Sequence, residues 1–232
     1  MNLEQILNYR RSVRYYSDTK RIDTEKVAHC LKLAQLAPTS SNMQLYEMYH
    51  VTDKDVLKKL ASACLEQNSA DTAQEMVVFV TRQDLHRKRE KEVFRLEIEN
   101  IRRTSPVEKQ EKRIKKWRMY YEKLLPILYT RFFGILGIAR KITALGIGLF
   151  RPMMRQVSEA DMRVVVHKSC GLVAQTFMLA MAEQGYDTCA LEGFDSLRVK
   201  KLLKLSYGAE INMVVTCGIR EEKGVWGDRT RL

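Results

Sequence analysis

The stretch Tyr9-Arg10-Arg11-Ser12-Val13-Arg14-Tyr15-Tyr16, "YRRSVRYY", sets three arginines and a serine within five positions, directly after an opening helical stretch. Three chemistries fit it: a solvated face, a landing patch for nucleic acid, or a grip on one phosphate. Guanidinium forks bind phosphate through paired N–H donors, and a serine hydroxyl adds a short one. A charge run alone does not choose among the three.

The distribution of charge narrows the choice. The 232 residues carry 40 Lys+Arg against 28 Asp+Glu. Residues 82–155 hold 20 of the cations and 8 of the acids, so the rest of the chain balances at 20 against 20. No extended basic field surrounds "YRRSVRYY", and the nucleic-acid option moves to "RIKKWRMYYEK", where cations mix with aromatics but acids interrupt the patch.

Hydrophobic content of 45% is enough for a buried core in one sizeable domain. Five widely spaced cysteines (Cys30, Cys64, Cys170, Cys189, Cys217) in apolar or helical contexts read as reduced thiols of a cytoplasmic protein. The opening residues include Glu4 and no apolar run of signal-peptide length, which argues against secretion. The apolar runs 132–139 and 142–150 are split by Arg140 and Lys141, and each is too short for a bilayer span of about 20 residues.

Spacing then predicts the elements. Residues 23–37 form a helix, with Asp23 as N-cap, Val27, Cys30, Leu31 and Ala34 on one face, and Pro38 as the stop. The polar knot "PTSSN" is a loop, 45–52 a strand, and Asp53 caps another helix carrying Val56, Leu57, Leu60 and Ala61. "MVVFVT" at 76–81 is a buried strand, a long helix covers 167–185 and ends at Gly185, another covers 195–205, and "INMVVTCGI" is the last strand. Helices and strands mix without a beta-alpha-beta rhythm, so the fold class is α+β. Residues 1–232 read as one domain with a helical insertion at about 82–160: a charged half broken at Pro106, then an apolar half punctuated by glycines and cations.

Common catalytic signatures do not occur. The four histidines are isolated, Cys-x-x-Cys is missing, and neither a Gly-x-Gly-x-x-Gly nor a Walker loop is present, which argues against a metal centre, a Rossmann site or a nucleoside triphosphate site. Ser169 and Cys170 lie in helix without a visible base. What remains are four polar signals at the ends of apolar elements: "RRSVR", "APTSSNMQLY", "ALEGF" and "DRTRL".

Together these resemble the FMN-dependent nitroreductase family. Arg10-Arg11-Ser12-Val13-Arg14-Tyr15-Tyr16 is similar to its opening Arg-x-Ser-x-Arg/Lys-x-aromatic motif, and Ala37-Pro38-Thr39-Ser40-Ser41-Asn42-Met43-Gln44-Leu45-Tyr46 to its Ala-Pro-Ser-x-x-Asn-x-Gln-Pro-Trp motif. Glu192-Gly193-Phe194 resembles the Glu-Gly-Phe after a Gly-terminated helix, and Gly218 with Arg229 and Arg231 the closing motif. Leu45-Tyr46 replaces the usual Pro-Trp, and Ala190 stands where proline is common, which alters a turn and an aromatic wall.

The resemblance implies a mixed sheet flanked by helices in an interlocked homodimer, with FMN at the dimer interface. It implies that Arg10, Arg11, Ser12, Arg229 and Arg231 hold the FMN phosphate. Arg14 would sit beside the ring and raise its reduction potential, while Pro38, Thr39, Ser40, Ser41, Asn42 and Gln44 reach the flavin from the partner subunit. Glu192 and Gly193 would lie at the ring edge, where glycine lets the backbone approach. No side chain need act as nucleophile, since the flavin carries the chemistry. The implied reaction is ping-pong: NADH or NADPH reduces FMN, then a small electron-poor acceptor such as a nitroarene or quinone takes the electrons.

Two alternatives stay open. One is a flavin-binding protein on the same scaffold that nicotinamide does not reduce. The other concerns the insertion, which reads as a lid and dimer-wrapping arm, or as a peripheral membrane contact through 125–155, where basic residues flank apolar helical segments with Phe132, Phe133 and Phe150.

Overall fold

Capping residues and apolar spacing place the elements close to where the sequence puts them. The computed structural model describes residues 1–229. In chain order the elements are α1 (Leu3–Tyr9), α2 (Thr24–Ala34), β1 (Tyr46–Val51), α3 (Lys54–Ala63), α4 (Asn68–Asp71), β2 (Glu75–Thr81), α5 (His86–Thr104), α6 (Val107–Met119), α7 (Leu125–Tyr129), α8 (Ile135–Gly148), α9 (Glu159–Glu183), β3 (Asp187–Leu191), α10 (Ser196–Leu202) and β4 (Glu210–Gly218). The Asp23 side chain accepts from Glu25 N and that of Asp53 from Val56 N, which satisfies helix-start amides that would otherwise be orphaned.

Helix α9 begins at Glu159, eight residues ahead of the expected 167, and two further boundaries differ for local reasons. Helix α2 loosens after Ala34 into i to i+3 hydrogen bonds at Gln35, Leu36 and Ala37, so it ends before Pro38 forces it to. Helix α10 stops at Leu202, and Lys204 follows at φ +52°, a left-handed turn that residues up to 205 cannot share with a helix.

The chain packs as two compact units, one of 1–38, 46–81 and the residues from 170 onward, the other of 39–45 and 82–169. The first unit holds a four-stranded sheet in the order β1-β2-β4-β3. All three strand pairs are antiparallel, and the parallel component is a one-residue bridge between Ser12 and Thr188.

Both faces of this sheet are buried, and alternation along β2 shows how. Val77 and Phe79 join a core with Val27, Cys30 and Ala34 of α2 and Val173, Phe177 and Met181 of α9. Met76, Val78 and Val80 turn the other way, onto Leu57 and Leu60 of α3 and Val199 of α10. By length and composition α9 is apolar enough to cross a bilayer, a property the sequence reading did not single out. The burial of Cys170, Val173, Ala174, Phe177 and Met181 in the first unit marks this half of α9 as core helix.

The second unit contains the whole of the 82–160 stretch. Helices α5 and α6 break at Ser105-Pro106 as expected, since proline disfavours helix in the residue before it. Its core collects Met43, Leu45, Phe94, Ile101, Ile114, Tyr121, Leu125 and Met162.

Candidate functional site

Residue Tyr9 ends α1, and the next five residues run along the edge of β3. The Val13 N–H donates to Thr188 O at 3.3 Å and the Arg14 N–H to Gly224 O at 2.7 Å, so "RRSVR" is clamped between the sheet and the chain leaving β4. The clamp is tightened by a buried ion pair. Asp187, 2% exposed, accepts from the Arg220 backbone N–H at 2.8 Å and from its Nε at 2.8 Å. The same guanidinium donates to Tyr9 O at 3.0 Å and lies over the Tyr9 ring, whose hydroxyl donates to Gly185 O at 2.7 Å.

Arg10, Arg11, Ser12, Arg14 and Arg229 line one cavity of about 350 Å³, together with Val225, Trp226 and Asp228. Arg229 donates to Leu7 O at 3.0 Å and Arg10 O at 2.7 Å, covering carbonyls left open at the end of α1. Arg11 donates to Gly227 O at 2.8 Å. Arg14 stacks over Trp226 at 5.5 Å and approaches Cys189 Sγ at 3.6 Å.

Arg10 makes no side-chain hydrogen bond or ion pair among the described residues. Burial pushes its pKa down, and the neighbouring Arg229 and Arg11 guanidiniums push it the same way. Converging cations without a carboxylate partner on Arg10 leave a cavity whose charge is best met by an anion. Arg231, the remaining phosphate candidate from the sequence, lies outside the described residues.

Glu192 and Gly193 follow β3 in the same unit and are exposed. Gln67, which the sequence reading did not single out, donates through Nε2 to Gly193 O at 2.9 Å and to Cys64 O at 3.0 Å. Among the described residues no acceptor meets the Gly193 N–H, so this backbone donor is available.

Pro38 closes a segment of the first unit, while Thr39, Ser40, Ser41, Asn42 and Gln44 belong to the second. Within that unit they form a tight 3₁₀ turn, Ser40–Asn42, with Ser41, Asn42 and Gln44 at φ +53°, +51° and +47°. Three excursions of non-glycine residues into left-handed space within four positions are strained, and such strain persists only where surrounding bonds hold it. Here Gln44 N donates to Thr39 Oγ1 at 3.2 Å, Ser40 N to Ser169 Oγ at 3.1 Å, and Tyr121 OH to Ser41 O at 3.1 Å. The Ser41 and Tyr120 hydroxyls meet at 2.7 Å. Both tyrosines lie in a π-helical turn, Tyr120–Leu124, which puts the two consecutive rings within reach of one loop.

The residues read from sequence therefore stand as a cationic cavity, a pinned glycine segment and a strained polar loop. Tyr9, Asp187 and Arg220, which hold the cavity's backbone, were missed; their one signal is that each borders a recognised motif.

Against known proteins, the model of the nitroreductase family matches residues 7–219. Among curated proteins, a Bacillus subtilis protein named as an NAD(P)H nitroreductase, MhqN, is 39% identical over 51 residues, 22% of this chain and 25% of that protein. An Archaeoglobus fulgidus protein named as an NADH dehydrogenase/NAD(P)H nitroreductase is 43% identical over 54 residues, 23% of this chain and 30% of that one. The chain thus spans between a quarter and a third of the length of these curated relatives. Among solved structures, the ydfN protein of Bacillus subtilis, described as a nitroreductase, aligns with a TM-score of 0.72 at 20% identity, covering 99% of this chain and 93% of that one. A protein from Exiguobacterium sibiricum, described as a nitroreductase in complex with FMN, aligns at 0.67 and 18%, covering 100% and 94%.

Proposed function

The chain belongs to the nitroreductase family, and from that premise we propose that it is an NAD(P)H-dependent FMN oxidoreductase acting on a small electron-poor acceptor of nitroaromatic or quinone type. The observation that carries this reading is the convergence of Arg10, Arg11 and Arg229 with Ser12 on one cavity, where Arg10 has no carboxylate partner among the described residues. A phosphate monoester is close to a dianion at neutral pH and accepts several charge-assisted hydrogen bonds at once, which fits that donor set. The FMN-bound relative and the nicotinamide named in the curated relatives support the cofactor and the donor.

Bound FMN would supply the two-electron chemistry, accepting hydride from a nicotinamide and passing it on. The chain's own groups bind and tune. Arg10, Arg11, Ser12 and Arg229 hold the phosphate. Arg14, fixed by Trp226 and Gly224 O, keeps a positive charge nearby that favours negative charge accumulating next to it. Gly193, its carbonyl pinned by Gln67, offers an N–H at a position where no side chain blocks approach. In this reading a second copy of the chain supplies Pro38, Thr39, Ser40, Ser41, Asn42 and Gln44 to complete the site, so the working form is a homodimer. Donor and acceptor use one open face in turn, which gives ping-pong kinetics.

Anaerobic addition of NADH or NADPH to the purified protein tests the reading. Rapid bleaching of the bound flavin, reversed by a nitroarene or quinone, supports it. A flavin that only dithionite reduces would mark a binding protein on the same scaffold.

A further inference from the structure

Helix α8 is built inside out. The residues it turns inward are small or charged: Gly137 and Ala144 are buried and Arg140 is half-buried, whereas Ile135, Ile138, Ile142 and Leu145 are exposed. With Leu149, just past the helix end, these outward residues fall within about 80° of arc at 100° per residue, so they form one stripe. Phe133 before the helix is 93% exposed, and Leu149 and Phe150 after it are 80% and 90% exposed.

The orientation is fixed by specific bonds and is not a helix free to roll. A side-chain carbon at Gly137 would meet Glu159 N at 2.6 Å, so only glycine allows this approach. The Glu159 carboxylate accepts from Phe132 N and Gly134 N, each at 3.0 Å, and from Gly137 N at 3.3 Å. These amide bonds lower its pKa even though desolvation works the other way, and they cap the start of α8. Arg140 Nε donates to Val157 O at 2.8 Å and its Nη1 to Thr130 O at 3.0 Å. The stripe therefore points away from the unit's own core, and rolling it inward would break all of these contacts.

We propose that this face docks on an anionic lipid surface, with α8 lying in the plane of the interface. Charge selects this occupant. Residues 124–155 contain five cations, Arg131, Arg140, Lys141, Arg151 and Arg155, and no acid. Arg131, Lys141, Arg151 and Arg155 are exposed, so cations rim the apolar stripe as they do on helices that lie in a leaflet. A twofold contact between two copies through the same face would set cation against cation, because the same patch meets itself. Leu124, Ile127, Leu136 and Met153 of this stretch also line an apolar groove of about 510 Å³, of a size that apolar ligands fill. This inference is independent of the flavin reading, and its test uses no flavin.

The test is co-sedimentation of the full chain with vesicles of phosphatidylcholine alone or with one quarter phosphatidylglycerol. Binding to the anionic vesicles that weakens as salt is raised supports the proposal. Two double variants on exposed positions should keep the wild-type circular dichroism spectrum. Ile138→Ser with Ile142→Ser should lower the partition coefficient at least tenfold. Lys141→Gln with Arg151→Gln should lower it on the order of 25-fold, from about fivefold per cation near an anionic surface. Absence of wild-type binding, or equal and salt-insensitive binding to both vesicle types, overturns the proposal. So does conversion of a wild-type dimer to monomer by the Ile138→Ser, Ile142→Ser variant in sedimentation velocity, since a second copy would then be what covers the face.

Discussion

Arg220 grips Asp187 through its backbone N–H and its guanidinium while the same guanidinium lies 4.4 Å over the ring of Tyr9, so one cation ties the end of α1 to the start of β3 and the end of β4. Asp187→Asn removes the charge that compensates Arg220. It should destabilise the protein by about 2–3 kcal/mol in urea unfolding, the usual cost of breaking one side of a largely buried, hydrogen-bonded pair. FMN affinity should fall too, because the backbone of Arg10 follows directly from Tyr9. Unchanged stability would show that the pair is incidental.

Gly218 tests a close approach. A Cβ there would lie 2.6 Å from Tyr16 Cδ1, and Tyr16 is held in place by its hydroxyl bond to Thr216 O at 3.0 Å. Gly218→Ala should therefore cost about 1–3 kcal/mol by overpacking. The double variant Gly218→Ala, Tyr16→Leu should cost less than the sum of the single changes; strict additivity in the thermal or urea data would contradict the contact.

Buried Glu90 makes stability pH-dependent. Desolvation raises its pKa to about 7, partly offset by Arg87 and Lys91, and its Oε1 has no hydrogen-bond partner among the described residues. An acid whose folded-state pKa is raised binds its proton more tightly in the native state, so its stabilising contribution is present below about 4.5 and is lost as pH rises through about 7. The expected loss is on the order of 3 kcal/mol. Glu90→Gln should flatten the stability profile across this window, and an unchanged slope would show that other groups set it.

The strained loop offers a local test. Tyr121→Phe deletes the bond to Ser41 O and should lower hydrogen-exchange protection of the Ser40–Asn42 amides about fivefold, equivalent to about 1 kcal/mol for a neutral hydrogen bond. No change in exchange would mean that other contacts hold the loop.

How legible the molecule is from its sequence depends on the range of the interaction. Asp23 and Asp53 announce helix starts because capping acts over two or three residues, and the unbroken apolar run in "MVVFVT" announces a strand with two buried faces. Motifs at the ends of those elements located the cationic cavity because Arg10, Arg11, Ser12 and Arg14 fall within five consecutive positions. The pairing of Asp187 with Arg220 depends on two chain segments meeting, and no local pattern carries that. The sequence left the face of α8 open between a dimer arm and a membrane contact, because its Ile and Leu spacing does not say which way the stripe turns until Gly137 is seen to demand contact with Glu159. The two tyrosines on the Ser40–Asn42 loop depend on a π-turn, which has no simple sequence signal.

The central claim is that the cavity of Arg10, Arg11, Ser12 and Arg229 binds the phosphate of a flavin. Comparing FMN with riboflavin, which lacks that phosphate, tests it most directly. By equilibrium fluorescence titration the wild type should bind FMN at least about a hundredfold more tightly than riboflavin. Arg10→Ala should lose about 2 kcal/mol or more of FMN binding with riboflavin affinity nearly unchanged. Equal affinities of the wild type for FMN and riboflavin, or an Arg10→Ala variant that keeps full preference for FMN, would contradict the account.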